Sequence, residues 1–489
     1  MHLFLQAVHG IGWDLTGWIL LTLAAELMAL LTVPSVLLER RGQPLSALSW
    51  TLSLVALPFV GVAAWWLIGR AHLKRKRRRR AQARWRIAKG FAELRPGALP
   101  AAGLEQSPLP FRRLPAAEAS GIFPFVGGNR VTLLRDGDET YAALEELLRG
   151  ARHHLHLLFY TWEPDAAGAR FRDLLVARAR EGVQVRLLLD ALGSARTGDA
   201  FLRPLIRAGG RVAFFAPMKF LRRSLSINFR NHRKIAVADG HAAYTGGLNV
   251  GDCYTREWRD MGVRLVGPAA SQLQEVFLED WFFSTGEALA ERDYLCWREA
   301  EGLDPAGPDF CAVVAGGPDT EQNVTRDAFF VAINAARERV WITTPYFIPD
   351  SSTQTALRTA VYRGVDVRLL VPRKADLPWT RLAGRSYFPS LLKSGVKIFE
   401  YRPCVLHAKT WVFDRLGAAV GSANLDTRSL KLNFEVSCFL HGRGPNARLA
   451  ELFEEDLRHS DAVSLDSVEK GNSLQRLAES ALNLLSPLL

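Results

Sequence analysis

The stretch Asn231-His232-Arg233-Lys234-Ile235-Ala236-Val237-Ala238-Asp239 has a second version later in the chain, His407-Ala408-Lys409-Thr410-Trp411-Val412-Phe413-Asp414, and both read His-x-Lys-x-x-x-x-Asp. The agreement runs past the motif. Gly246 and Gly421 each stand 14 residues after their histidine, Asn249 and Asn424 each 17, and the carboxylates Asp260 and Glu435 each 28. Six positions held in one register restrict the architectures open to the chain: it carries two copies of one unit, expected to face each other across a pseudo-twofold axis.

The flanking pattern says what that unit is. The first copy reads as a strand near 128–134, a helix over 139–150, a strand over 155–160, then helix 168–181, strand 183–189, helix 200–208 and strand 211–215. The second reads as helix 326–337, strand 340–344, helix 353–363 and strand 365–371, and Gly182-Val183-Gln184-Val185-Arg186-Leu187-Leu188 echoes Gly364-Val365-Asp366-Val367-Arg368-Leu369-Leu370. Strands alternating with helices predict an α/β fold with a largely parallel sheet covered on both faces.

The start of the chain differs. Trp18 to Leu38 and Leu45 to Gly69 are apolar runs, each near the ~20 residues a helix needs to cross a bilayer, so a two-helix transmembrane hairpin is expected. Trp65 and Trp66 read as interface anchors, and Glu26 as an acid that snorkels or packs against the second helix. The run Lys74-Arg75-Lys76-Arg77-Arg78-Arg79-Arg80 outweighs Arg40 and Arg41 between the spans, which places the remaining chain in the cytoplasm. Beside a span, that run serves topology and anionic headgroups better than it serves nucleic acid. The Pro-, Ala- and Gly-rich segment that follows is a linker. The expected division is 1–80 hairpin and basic run, 81–122 linker, 123–290 first half and 291–489 second half.

Bulk composition adds bounds. Hydrophobic residues make up 48% of 489 residues, which excludes a disordered chain, and the net charge of +12 calls for an anionic partner. Cys253, Cys296, Cys311, Cys404 and Cys438 form no C-x-x-C pair, so the sequence offers neither a zinc site nor a disulfide framework.

Spacing of two along an extended segment puts His232 with Lys234, and His407 with Lys409, on one face, with Ile235 and Val237 on the other side to pack the core. Gly246 and Gly421 allow close backbone approach, and Asn249, Ser422 and Asn424 can donate to phosphate oxygens. Two imidazoles and two ammonium groups around one phosphate suit phosphodiester transfer: one neutral histidine attacks phosphorus, and the other protonates the departing alcohol and deprotonates the incoming one. Asp260 and Glu435 are placed to orient the rings, while Asp239 and Asp414, completing the motifs, take a more structural share.

These residues resemble the bacterial cardiolipin synthases of the phospholipase D superfamily. The similarity is carried by Asn231-His232-Arg233-Lys234, Gly246-Gly247-Leu248-Asn249 and Trp258-Arg259-Asp260. It recurs in Leu406-His407-Ala408-Lys409, Gly421-Ser422-Ala423-Asn424-Leu425-Asp426-Thr427-Arg428-Ser429 and Asn433-Phe434-Glu435. Thr344-Pro345-Tyr346-Phe347-Ile348-Pro349 and Leu485-Ser486-Pro487-Leu488-Leu489 belong to the same likeness. It covers essentially the whole chain. The resemblance implies transfer of a phosphatidyl group between two phosphatidylglycerol molecules at a bacterial inner membrane, without metal or nucleotide. By the family's usual order His232 is the nucleophile and His407 the general acid and base.

Phe214 to Arg223 mixes apolar residues with cations, as either an interfacial segment or a packed loop would, and Ser386 to Lys393 reads as core. Rival activities are a hydrolytic phospholipase D, a transferase using another donor such as phosphatidylethanolamine, and a nuclease, which the membrane hairpin argues against.

Overall fold

A computed structural model describes residues 15–69, 121–215, 229–289, 294, 307–318, 323–470 and 472–484. The basic run 74–80, most of the expected linker, the segment 216–223 and the apolar end 485–489 lie outside the described residues. Those described fall into two compact units, 15–69 and the remainder.

In the first unit one helix, Leu15–Glu39, covers the first apolar run without a break. The second run is not one helix but three pieces, Pro44–Ala56, Pro58–Ala64 and a π-helical turn Trp65–Gly69. Pro58 causes the division, since it lacks an N–H and its ring clashes with the preceding turn. The pieces pack back on the first helix around Ala29, Val36, Leu54 and Trp65. Trp65, expected as an interface anchor, is instead fully buried and donates to Ser35 Oγ at 3.2 Å, while Trp66 stays exposed.

The second unit is built on one sheet of 15 strands. The first half gives β1 (Val126–Leu134), β2 (His154–Phe159), β3 (Gln184–Asp190), β4 (Arg211–Phe215), β5 (Ile235–Ala238), β6 (Ala242–Gly246) and β7 (Gly262–Val266). The second gives β8 (Asp309–Gly316), β9 (Arg339–Thr343), β10 (Asp366–Pro372), β11 (Lys397–Tyr401), β12 (Thr410–Phe413), β13 (Gly417–Gly421), β14 (Glu435–His441) and the edge strand β15 (Ser460–Ala462). Outward from the central β1–β8 pair, the first half runs β7, β6, β5, β2, β3, β4 and the second β14, β13, β12, β9, β10, β11. The two halves thus repeat one strand order and join antiparallel, as a pseudo-twofold requires.

The expectation of a largely parallel sheet is corrected. Only β2–β3, β3–β4, β9–β10 and β10–β11 pair parallel; the remaining neighbours, including the hairpins β5–β6 and β12–β13, run antiparallel. The hairpin strands are short and buried on both faces, so they show none of the polar–apolar alternation that marks an antiparallel strand.

Matched local signals build both halves. Asp136, Asp165, Asn323 and Asp350 cap the helices that follow them, each side chain accepting a backbone N–H. Gly182 and Gly364, both at positive φ, end the helices ahead of β3 and β10, which explains the echo in sequence there. A core continuous across both halves fills one face of the sheet, and separate cores lie under the helices of each half on the other. Phe388 and Leu391, in the segment read as core, are buried.

Candidate active site

Each histidine sits not within a strand but on the extended lead-in to one: His232 precedes β5 and His407 precedes β12. That lead-in is held by the other half. His232 N donates to Phe434 O at 2.9 Å and Phe434 N to Arg230 O at 2.8 Å, while His407 N donates to Arg259 O at 2.8 Å and Leu406 pairs with Arg259. In each case the residue ahead of one half's histidine runs beside the residue ahead of the other half's acid. The alternation is preserved: Arg233 points away from His232 into a buried ion pair with Asp280 at 2.7 Å, and Asn231 Nδ2 donates to the same carboxylate at 2.9 Å.

This crossing pairs the rings with acids of the opposite half. His232 Nδ1 lies 3.1 Å from both Glu435 oxygens, and His407 Nδ1 lies 2.6 Å from Asp260 Oδ2. A ring whose Nδ1–H is held by a carboxylate keeps its lone pair on Nε2. Tyr160 meets His232 edge-on at 5.0 Å and Trp258 meets His407 at 4.5 Å, limiting the tilt of each ring.

The lysines lie beneath the rings and bend back to their own segment. Lys234 Nζ donates to His232 O at 2.7 Å, and Lys409 Nζ donates to His407 O and approaches His407 Nδ1 at 2.6 Å. Burial lowers Lys234 to about 7 and Lys409 to about 8, although Glu435 and Asp260 respectively pull them upward. His407 is lowered to about 4 by burial and by Lys409, against the pull of Asp260. His232 is lowered by burial in the same sense, with Glu435 opposing. Burial pushes Asp260 and Glu435 up, yet their cationic and imidazole neighbours outweigh it and hold both below the ordinary carboxylate range. The site therefore holds fewer protons than four exposed basic groups would, and an anion is the species that restores them.

The copies differ beside their acids. Ser422 Oγ donates to Glu435 Oε2 at 2.5 Å, whereas the matching Gly247 leaves room for Asp260: a Cβ there would fall 2.1 Å from Asp260 Oδ1. A long carboxylate is thus tethered by a hydroxyl, and a short one is fitted against bare backbone. Asn249 Oδ1 accepts from Thr161 N at 3.1 Å.

Asp239 and Asp414 stand outside the pocket lining. Each is at positive φ (52° and 47°) in the turn of its hairpin. Asp239 accepts from the backbone N–H groups of Arg152, His153 and His154, and Asp414 from those of Arg337, Glu338 and Arg339. They tie the motif hairpin to the start of β2 and β9.

Both histidines open on one cavity of about 400 Å³, with Asn249 and Asn424 also in its wall. Sequence spacing does not single out Tyr160, Arg230, Tyr346, Asp376 or Trp379, which complete it. Tyr160, Tyr346 and Asp376 follow β2, β9 and β10, the carboxyl ends of the parallel strands, a general signal for a site, and Tyr346 also lies in the stretch Thr344 to Pro349 that carries the family likeness. Tyr346 donates to Asp376 Oδ2 at 2.6 Å. Among the described residues, Arg230 Nε and Nη1, Asn424 Oδ1 and Asn433 Oδ1 are buried in this wall with no hydrogen-bond partner, the pattern of a site that takes a polar ligand. Among the described residues no cluster of histidine, cysteine and carboxylate groups has the arrangement of a metal site.

A family model described as "Cardiolipin synthase, PLD-like domain" matches residues 144–281 and 329–457, one stretch in each half. A cardiolipin synthase of Geobacillus kaustophilus is 37% identical over 92% of this chain and 90% of its own length. One of Alkalihalophilus pseudofirmus is 35% identical over 97% of this chain and 95% of its own. The crystal structure of phosphatidylserine synthase from Haemophilus influenzae superimposes with a TM-score of 0.58 over 73% of this chain and 95% of that one; at 14% identity the likeness is one of fold.

Proposed function

The chain belongs to the family of cardiolipin synthases with a phospholipase D-like domain, and we propose that it moves a phosphatidyl group from one phosphatidylglycerol to the hydroxyl of another, giving cardiolipin and free glycerol. The observation that carries this reading is the shared cavity, in which two rings from opposite halves reach one space.

His232, neutral and with its lone pair on Nε2, attacks phosphorus. The bond to the glycerol oxygen breaks, and His407 gives that oxygen a proton. The hydroxyl of the second lipid then yields its proton to His407 and attacks phosphorus, and the bond to His232 breaks. An imidazole with a pKa of about 4 is a poor proton source at neutral pH. The phosphodiester anion corrects this, because its charge offsets Lys409 and draws protons onto the lysines and His407 together. Lys234, Lys409, Asn249 and Asn424 steady the equatorial oxygens as charge shifts; Ser422 acts through Glu435.

Leu15–Glu39, with a mean hydropathy of 2.0 over its most apolar window, and the returning stretch 44–69 form a membrane hairpin in this reading. The basic run at 74–80 keeps the catalytic halves on the cytoplasmic side.

Solubilised protein given phosphatidylglycerol labelled in its headgroup and acyl chains tests the reading. Cardiolipin with equimolar glycerol supports it; phosphatidic acid as the sole lipid product contradicts it.

A further inference from the structure

The helix Ser473–Asn483 is docked the wrong way round for a helix in water. Surface helices bury an apolar stripe and show a polar one. Here Glu479 is 5% exposed and pairs with Arg385 at 3.2 Å, and Asn483 accepts from Tyr387 at 2.7 Å. The leucines point out: Leu474, Leu477 and Leu484 are 72%, 67% and 82% exposed, and with Ala481 they recur at the spacing of one helix side. The helix has only two charged residues; the acid, Glu479, is buried, and the base, Arg476, is exposed.

The helix lies against Pro378–Arg385, which carries Trp379. Trp379 is both 46% exposed and part of the cavity wall. The helix therefore brings an outward apolar face with one exposed cation and no exposed acid of its own to the edge of the pocket, where the exposed carboxylate of Asp376 is held by Tyr346.

We propose that the outer face of Ser473–Asn483, together with Trp379, docks on the surface of an anionic bilayer and seats the pocket mouth at the headgroup layer. The leucines enter the acyl boundary, Arg476 meets lipid phosphates, and Trp379 sits at the interface as amphipathic rings do. The inference rests on the reading of the substrate as a phospholipid: a headgroup still anchored in its leaflet is reached only if the pocket comes to it.

The full chain in vesicles of phosphatidylglycerol and phosphatidylethanolamine provides the test, with a nitroxide on L477C and the unsubstituted protein as labelling control. The proposal expects collisions with dissolved oxygen to exceed those with a water-soluble nickel chelate. It also expects L474S/L477S to lose roughly tenfold in turnover on vesicles, as lost apolar contact predicts, while staying within about twofold on dispersed short-chain phosphatidylglycerol. A nitroxide in water, or equal rates on vesicles for variant and parent, overturns it. So does strong dipolar broadening between labels, which assigns the face to a second copy, or an equal loss on both substrate forms. If the parent turns over neither form, the substrate reading fails separately, and the nitroxide still decides where the helix sits.

Discussion

Glu435 lies 3.1 Å from His232 Nδ1 although 203 residues separate them, and the mirror relation joins Asp260 to His407 across 147. Neither half contains a complete acid–histidine pair. Each supplies one ring and the carboxylate for the other's, so the candidate site is assembled only when the β1–β8 seam and the lead-in contacts are formed.

The first prediction concerns these acids. Asp260→Asn and Glu435→Gln keep the shape but remove the charge that holds the tautomer, and each lowers kcat by roughly 10²–10⁴-fold with little change in KM. Steady-state kinetics on phosphatidylglycerol check it; a loss confined to KM would assign the carboxylates to substrate binding instead.

Gly247→Ala should be far more harmful than a methyl group on a loop normally is. The added Cβ takes the space of Asp260 Oδ1, so the carboxylate must leave His407. About 1–3 kcal/mol of stability is lost with most activity. Ser422→Ala frees one oxygen of Glu435 and takes the acceptor from the buried Val436 N–H, which donates to Ser422 Oγ at 3.0 Å, so it costs activity together with about 1–3 kcal/mol of stability. Melting curves beside rates check both variants.

Anion binding should take up protons. Lys234 at about 7, Lys409 at about 8 and His407 at about 4 all rise when a phosphodiester enters. Affinity for a non-hydrolysable phosphatidylglycerol analogue therefore weakens as pH rises through 7 to 9. Calorimetry in buffers of different ionisation enthalpy reads the proton count directly; release of protons on binding would contradict it.

Lys234 also bears on stability. Its folded pKa is depressed, so between about 7 and its ordinary value of 10.5 the unfolded chain holds the extra proton. This group therefore makes stability rise with pH across that window. Lys234→Met removes the cost: the variant is inactive, melts higher than the parent at pH 7, and shows a flatter pH dependence between 7 and 10. A lower melting temperature at pH 7 would show that the ammonium is a net support of the fold.

Much of this is legible in the sequence. The repeated His-x-Lys-x-x-x-x-Asp and its matched satellites announce two halves, and the helices and inner strands fall where alternation and caps place them. Two things were not legible. Asp260 and Glu435 are identifiable as orienting groups, but which ring each serves depends on a contact between segments whose sequence separation carries no distance. Arg230, Asp376 and Trp379 come from connecting segments without a repeat; the position in the second half that matches Arg230 is Val405, so symmetry cannot find it.

The central claim is that His232 alone carries the phosphatidyl group while His407 moves protons. Phosphatidyl-p-nitrophenol, whose leaving group needs no proton, tests it most directly in His407→Ala and His232→Ala. The account predicts a burst of one p-nitrophenolate per chain in His407→Ala, with the lipid adduct mapped by mass spectrometry to His232, and no burst in His232→Ala. A burst in His232→Ala with the adduct on His407 would contradict it.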